Sequence, residues 1–183
     1  MRTACPDSLI FAFEANPENY LDFCLRPEIA AARINVQNMA IAEEVGAALI
    51  RVPEYASRRS GTGTIDQRGT SSLLPKAQVA YFVDYEVPKT TLDAFFAAFL
   101  ADPEPPSFGF WIDVEGLAAQ VLAGMSGTLR QTRVLKIEVE DVEYYQGQIF
   151  AGDIRQIMED AGFRIHAQTD PSPGQYDLLF VRG

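Results

Sequence analysis

The chain has 183 residues, enough for one domain that buries roughly 70% of its unfolded surface, so a core requires neither a disulfide nor a metal. Apolar residues make up 48% and charged residues 22%, which excludes a disordered chain. Fifteen basic against twenty-five acidic residues give a net charge of -10, which repels phosphate backbones and anionic membranes and argues against nucleic acid or a membrane as partner.

Leu9 to Glu14 reads as a short apolar strand that closes on an acid. Asn16 then caps a helix that opens on Pro17, whose missing N–H would have been unpaired anyway, and that stops near Leu25 before Pro27. Ile34 and Val36 alternate with polar neighbours, and Ala48 to Val52 follows Gly46, which predicts two more strands. Residues 53 to 76 carry Gly61, Thr62, Gly63, Thr64 and Gly69 without periodicity and read as one long surface loop. The GTGT run lacks the lysine and flanking elements of a phosphate loop.

Val79 to Val87 predicts a strand broken by Pro88. Thr90 or Thr91 caps a helix with Leu92, Phe95, Phe96, Phe99 and Leu100 on one face, ended by Pro103, Pro105 and Pro106. FGFWIDVEG is a strand finishing in two acids and a glycine, followed by a helix through Leu117, Val121 and Leu122 to Gly124. Trp111 within it reads as core. Arg133 to Val139 is a further strand ending in acids, and a helix from about Asp153 to Ala161 closes at Gly162. FRIHAQ and YDLLFV are separated by too few residues for a crossover helix and should pair antiparallel. His166, among apolar neighbours, reads as a core or surface residue.

Strand and helix alternate, and runs such as Phe108 to Ile112 are apolar on both faces, so the expected fold is a single α/β domain over residues 1–183 with a mostly parallel sheet covered on both sides. In such a sheet the carboxyl ends of the strands share one rim, where ligands bind. Glu14, Asp113 with Glu115, and Glu138 with Glu140 all fall on that rim. Each has a plainer reading: Glu14 as a helix-end charge, the Asp113–Glu115 pair as a turn, Glu138 and Glu140 as a solvated strand end. Cys5 and Cys24 share no metal-type spacing and His166 is the only histidine, against a disulfide framework or a zinc site. No apolar run reaches the roughly 18 residues of a membrane span, and a cytoplasmic protein is expected.

Taken in order, FAFEANPENY, NVQNMAIAEEVG, VPKTTLDAF, FWIDVEG, VLKIEVE and YDLLFV resemble the FkbM-type methyltransferases, over about residues 9 to 182. The resemblance implies a class I, Rossmann-like three-layer fold, S-adenosylmethionine (SAM) as cofactor, and O-methylation of a hydroxyl on a sugar or natural product. By motif position it places Glu14 on the cofactor ribose, with Ala15 and Asn16 beside it, Asn38, Met39 and Ala40 at the adenine, and Asp113 and Glu115 at the reacting methyl. Asp113 is the expected base and Glu115 the substrate or turn holder. No metal ligand is implied, although Asp113, Glu115 and Glu138 would also suit a hard cation. An oligomer is compatible with all of this.

The chain departs from the family pattern at Trp111, where a lysine is usual, and at Ala118, where an acid is usual. An opening strand with an acidic, glycine-rich turn has no room before residue 9. In the family it lies between the strands that here are 9–14 and 108–112, so the expectation is a chain that continues upstream, two strands that close on each other, or a partner that fills the place. The alternative function is a non-catalytic methyltransferase-like binding or scaffold domain.

Overall fold

The strand β1 (Ile10–Phe13) hands over to α1 (Pro17–Cys24), whose N-cap Asn16 accepts a hydrogen bond from the Glu18 N–H at 2.9 Å. Pro27 opens a second short helix, α2 (Pro27–Ala31), and the chain returns as β2 (Ile34–Gln37), parallel to β1 with Phe11 opposite Asn35. The computed structural model describes residues 6–53, 56–57, 64–65, 68–76, 82–170 and 174–183.

Four strands follow: β3 (Ala40–Ile41), β4 (Gly46–Pro53) and the small antiparallel pair of β5 (Ala56–Ser57) with β6 (Thr64–Ile65). A 3₁₀ turn at Arg68–Thr70 precedes β7 (Phe82–Thr90). β7 is parallel to β3 and antiparallel to β4, and it runs through Pro88 rather than breaking there. Proline is tolerated on an open strand side, and β3 covers β7 only at Lys89 and Thr90.

Thr91 caps α3 (Leu92–Phe95) by accepting from the Ala94 N–H, and α4 (Ala97–Leu100) follows after a break at Phe96, so the single expected helix is two short ones. Phe96 is the hub of an aromatic cluster: its ring centroid lies 5.5 Å from Phe11, 5.0 Å from Phe95 and 5.0 Å from Phe108. β8 (Phe108–Ile112) leads through the acidic turn to α5 (Ala118–Ala123) and α6 (Ser126–Arg130). Asp93, the acid of the Thr-Leu-Asp run, caps α6: its carboxylate accepts from the Gly127 and Thr128 N–H groups and from the Ser126 and Thr128 hydroxyls. Burial alone would raise its pKa, yet those bonds hold it below the usual carboxylate range. Gly124 ends α5 where a Cβ would come within 2.2 Å of the Ala42 carbonyl, so only glycine lets the helix end close onto β3.

β9 (Thr132–Glu140), α7 (Ala151–Asp160), β10 (Phe163–Gln168) and β11 (Gln175–Arg182) complete the chain. The last two strands pair antiparallel, as their short connection requires, and β11 inserts between β10 and β9 to give the order β10-β11-β9-β8. Leu135, Ile137, Leu178 and Phe180 are fully buried on one face of that sheet beneath Val121, Leu122, Met125, Ile154 and Met158 of the helices. Full burial of such side chains stabilises a fold by about 1.5–3 kcal/mol each.

Two expectations are corrected. The described sheets are mixed rather than mostly parallel: β1–β2, β3–β7 and β8–β9 are parallel, while β4–β7, β5–β6, β9–β11 and β10–β11 are antiparallel. The large sheet is also not covered on both faces, because Trp111 is 61% exposed and Val134 38%. Strand alternation sends Trp111 to the face opposite buried Ile112, where the Lys136 ammonium sits 4.2 Å from its ring centroid. Trp111 is therefore not core. Among the described residues β1 pairs only with β2 and β8 only with β9, so strands 9–14 and 108–112 do not close on each other.

Candidate functional site

β1 and β8 end at the same place. Glu14, directly after β1, and Asp113 and Glu115, directly after β8, line one cavity of about 260 Å³ together with Ala15, Met39 and Ala40. Its walls are largely apolar, from Phe13, Phe23, Ile41, Ile50 and Leu73, and its roof is the Arg68–Leu73 segment. Concave sites of this kind, apolar with a few convergent polar groups, are where small ligands bind.

On the β1 side, the Glu14 carboxylate accepts from the Asn16 N–H at 2.8 Å. Burial nevertheless raises its pKa, opposed by the bonds from Asn16 and Asn19 and reinforced by the charge of Asp113. Asn16 and Asn38 do not line the cavity. Asn16 is fully buried and spends its side chain on Glu18 and Ser71, while the Asn38 amide donates to the Glu14 and Ala15 carbonyls at 2.9 and 3.2 Å. Of the six residues expected at a cofactor, four face the cavity and two hold the loop that presents Glu14.

On the β8 side the carboxylates crowd. Oxygens of Asp113, Glu115 and Glu138 all lie within 4.8 Å of one another, with Asp113 exposed and the other two half-buried. Burial, the charges of Asp113 and Glu115 and a hydrogen bond to Asp113 push Glu138 up to about 8. Burial and the same two charges push Glu140 up to about 7. Carboxylates this close coexist by sharing a proton or by holding a hard cation. Burial raises Glu115 as well, against a lowering hydrogen bond from Tyr145. The solvated reading of the β9 end is overturned, since Glu140 is 3% exposed and the Glu138 Oε2 is buried.

The sequence profile of the methyltransferase FkbM domain matches residues 6–165. The chain belongs to the FkbM methyltransferase family. A solved structure of magnesium protoporphyrin IX methyltransferase from Synechocystis PCC 6803 with bound SAM is 21% identical, covering 44% of this chain and 42% of that one, with a TM-score of 0.34. The chain thus spans less than half the length of that enzyme. Among curated proteins none matches the chain at a significant level.

In this FkbM family member the site also contains residues that the sequence reading did not single out. Ser72, 3% exposed, donates to the Glu115 carbonyl at 2.7 Å, and Tyr145, 1% exposed, donates to the Glu115 Oε2 at 2.5 Å. Both sit in stretches without periodicity, and contacts 43 and 30 residues away leave no local signal. The 53–76 stretch is not all loose surface either. Arg68 pairs with Asp22 at 3.0 Å, its carbonyl accepts from Asn19, and Ser72 bridges to Arg51 of β4. Gly61 to Gly63 of the GTGT run lie outside the described residues. His166 is exposed beside a bulge in β10, away from the cavity, and Cys24 is a free exposed thiol.

Proposed function

We propose that this chain is a SAM-dependent O-methyltransferase acting on a hydroxyl of a small polyol such as a sugar, in a class I arrangement. The cofactor site is the cavity between Glu14 and the Asp113–Glu115 turn. The observation that carries the reading is the convergence on one cavity of acids that directly follow two different strands, β1 and β8. The donor set fits the cofactor: a carboxylate suited to a ribose diol at one end, apolar walls of Met39, Ala40 and Ile50 for a flat ring, and acids for a cationic sulfur at the other.

SAM, when bound, supplies an electrophilic methyl group. What this chain contributes is alignment, exclusion of water and a place for a proton. Glu14, braced by Asn16 and Asn38, orients the ribose. Asp113, the most exposed acid of the cluster, would take the acceptor's hydroxyl proton while the methyl group's bond to sulfur breaks and its bond to the acceptor oxygen forms, leaving a neutral thioether. General-base help of this kind is typically worth about 100- to 10,000-fold. Glu138, whose pKa burial and the neighbouring acids push up to about 8, would lower the charge that otherwise builds up beside Asp113. The location of the protein is taken to be the cytoplasm, and its 183 residues to be one methyltransferase domain; the residues described include no helix long and apolar enough to cross a membrane.

Transfer of a labelled methyl group from SAM to a panel of polyols tests the reading. Wild-type protein is expected to transfer it, Asp113→Ala to lose nearly all transfer, and Glu14→Ala to lose it at SAM concentrations below its weakened affinity. Transfer that survives both substitutions overturns the site. Wild-type protein that neither binds SAM nor methylates favours the alternative, a non-catalytic binding or scaffold domain.

A further inference from the structure

Glu115 occupies an unusual backbone position. Its φ is +51°, and Gly116 follows at +86°, so the turn after β8 places a non-glycine residue in the left-handed region. Such a conformation crowds the Cβ against the backbone and persists only where surrounding contacts determine it. Two distant segments supply those contacts, and both address Glu115 itself. Ser72 takes its carbonyl and Tyr145 takes its carboxylate.

Tyr145 is in turn fixed from three sides. Its N–H donates to the Gln148 side-chain oxygen at 2.6 Å, while the Gln148 amide reaches the Glu140 carboxylate at 3.3 Å. An antiparallel bridge joins it to Lys76, and the next residue's N–H donates to the Pro75 carbonyl at 2.9 Å. Its ring lies so close under Gly116 that a Cβ there would come within 3.0 Å of it. A buried phenol anchored this firmly has one hydroxyl proton to give, and the Glu115 carboxylate is its nearest acceptor, with the Thr70 carbonyl farther off at 3.2 Å.

We propose that Tyr145 is a positioning residue acting through Glu115: its hydroxyl fixes the Glu115 carboxylate at the cavity wall, while Ser72 fixes the same residue's backbone. The proposal rests on the methyltransferase reading for its catalytic consequence, but the placement of Glu115 is a property of the protein by itself. Positioning of this kind acts on turnover more than on binding, because a misplaced carboxylate still contacts the ligand but no longer holds it in line.

Two measurements on Tyr145→Phe, which keeps the ring under Gly116, test it. In steady-state methylation kinetics, kcat should fall by about 10- to 100-fold with both KM values within about twofold, and Tyr145→Phe combined with Glu115→Gln should lose no more than Glu115→Gln alone. In amide hydrogen exchange on the cofactor-free protein, Leu117, whose N–H closes the Glu115–Gly116 turn on the Val114 carbonyl at 3.4 Å, should exchange about tenfold faster in Tyr145→Phe and in Ser72→Ala, with the strands around Leu135 and Leu178 unchanged. Unchanged exchange at Leu117, or losses that add in the double variant, overturns the proposal. Wild-type protein that transfers no methyl group removes the proposed function instead, and the exchange result still decides whether Tyr145 holds Glu115.

Discussion

The two acidic strand ends of this protein look alike in sequence and are built differently. After β1, Glu14 stands almost alone, on a two-stranded parallel sheet, held by local partners two to twenty-four residues away. After β8, Asp113 and Glu115 join Glu138 and Glu140 in a crowd, on a four-stranded sheet, held by Ser72 and Tyr145 from far along the chain. Under the proposed function one end would hold a diol and the other would handle a proton. The strand-end rule places acids on a shared rim, and the surrounding residues decide what each acid does there.

The sharpest way to separate the two ends is at the proton-handling one. Asp113→Asn is expected to lower kcat about 100- to 10,000-fold while leaving SAM affinity within about threefold, as read by turnover and calorimetry. Glu14→Ala should do the reverse in kind. Losing charge-assisted bonds worth about 1.5–3 kcal/mol weakens SAM binding roughly 10- to 150-fold. If both substitutions act on affinity alone, the division of labour between the ends is wrong.

The crowded end also leaves a mark on stability. Glu138 and Glu140 titrate in the folded protein at about 8 and about 7, above the ordinary glutamate value of 4.5 that the unfolded chain approaches. The folded state therefore binds more protons between those limits, so stability is full below about pH 4.5 on this account and is lost as pH rises toward 8. The melting temperature should drop by at least about 3 °C between pH 5 and pH 8.5, and Glu138→Gln should flatten the slope. A melting temperature that rises over this range contradicts the crowding. The smallest expected effect is that of a strong chelator, which should leave methylation within about twofold; a loss of activity would mean that Asp113, Glu115 and Glu138 hold a cation instead of a shared proton.

Much of the framework was legible in the sequence because it depends on local chemistry. Asn16 with Pro17, Thr91, and the apolar runs at Ile10, Phe108 and Tyr176 each specify an element with no help from elsewhere. Trp111 was misread because a run that is apolar throughout gives no sign of which face stays open. Pro88 was misread because proline interrupts a strand only where the lost N–H was required, which depends on the neighbour and not on the residue. The cofactor-side residues were placed by motif, and geometry divides them into those that face the cavity and those that brace it. Tyr145 and Ser72 carried no signal at all, since their part is defined by the φ of a residue dozens of positions away.

Under the proposed function the cavity between Glu14 and the Asp113–Glu115 turn binds the cofactor. Titration calorimetry with SAM measures this directly. Saturable heat for one site is expected, weakened by Glu14→Ala and retained in Asp113→Asn. Absence of heat at millimolar SAM, or an affinity indifferent to Glu14, would contradict it.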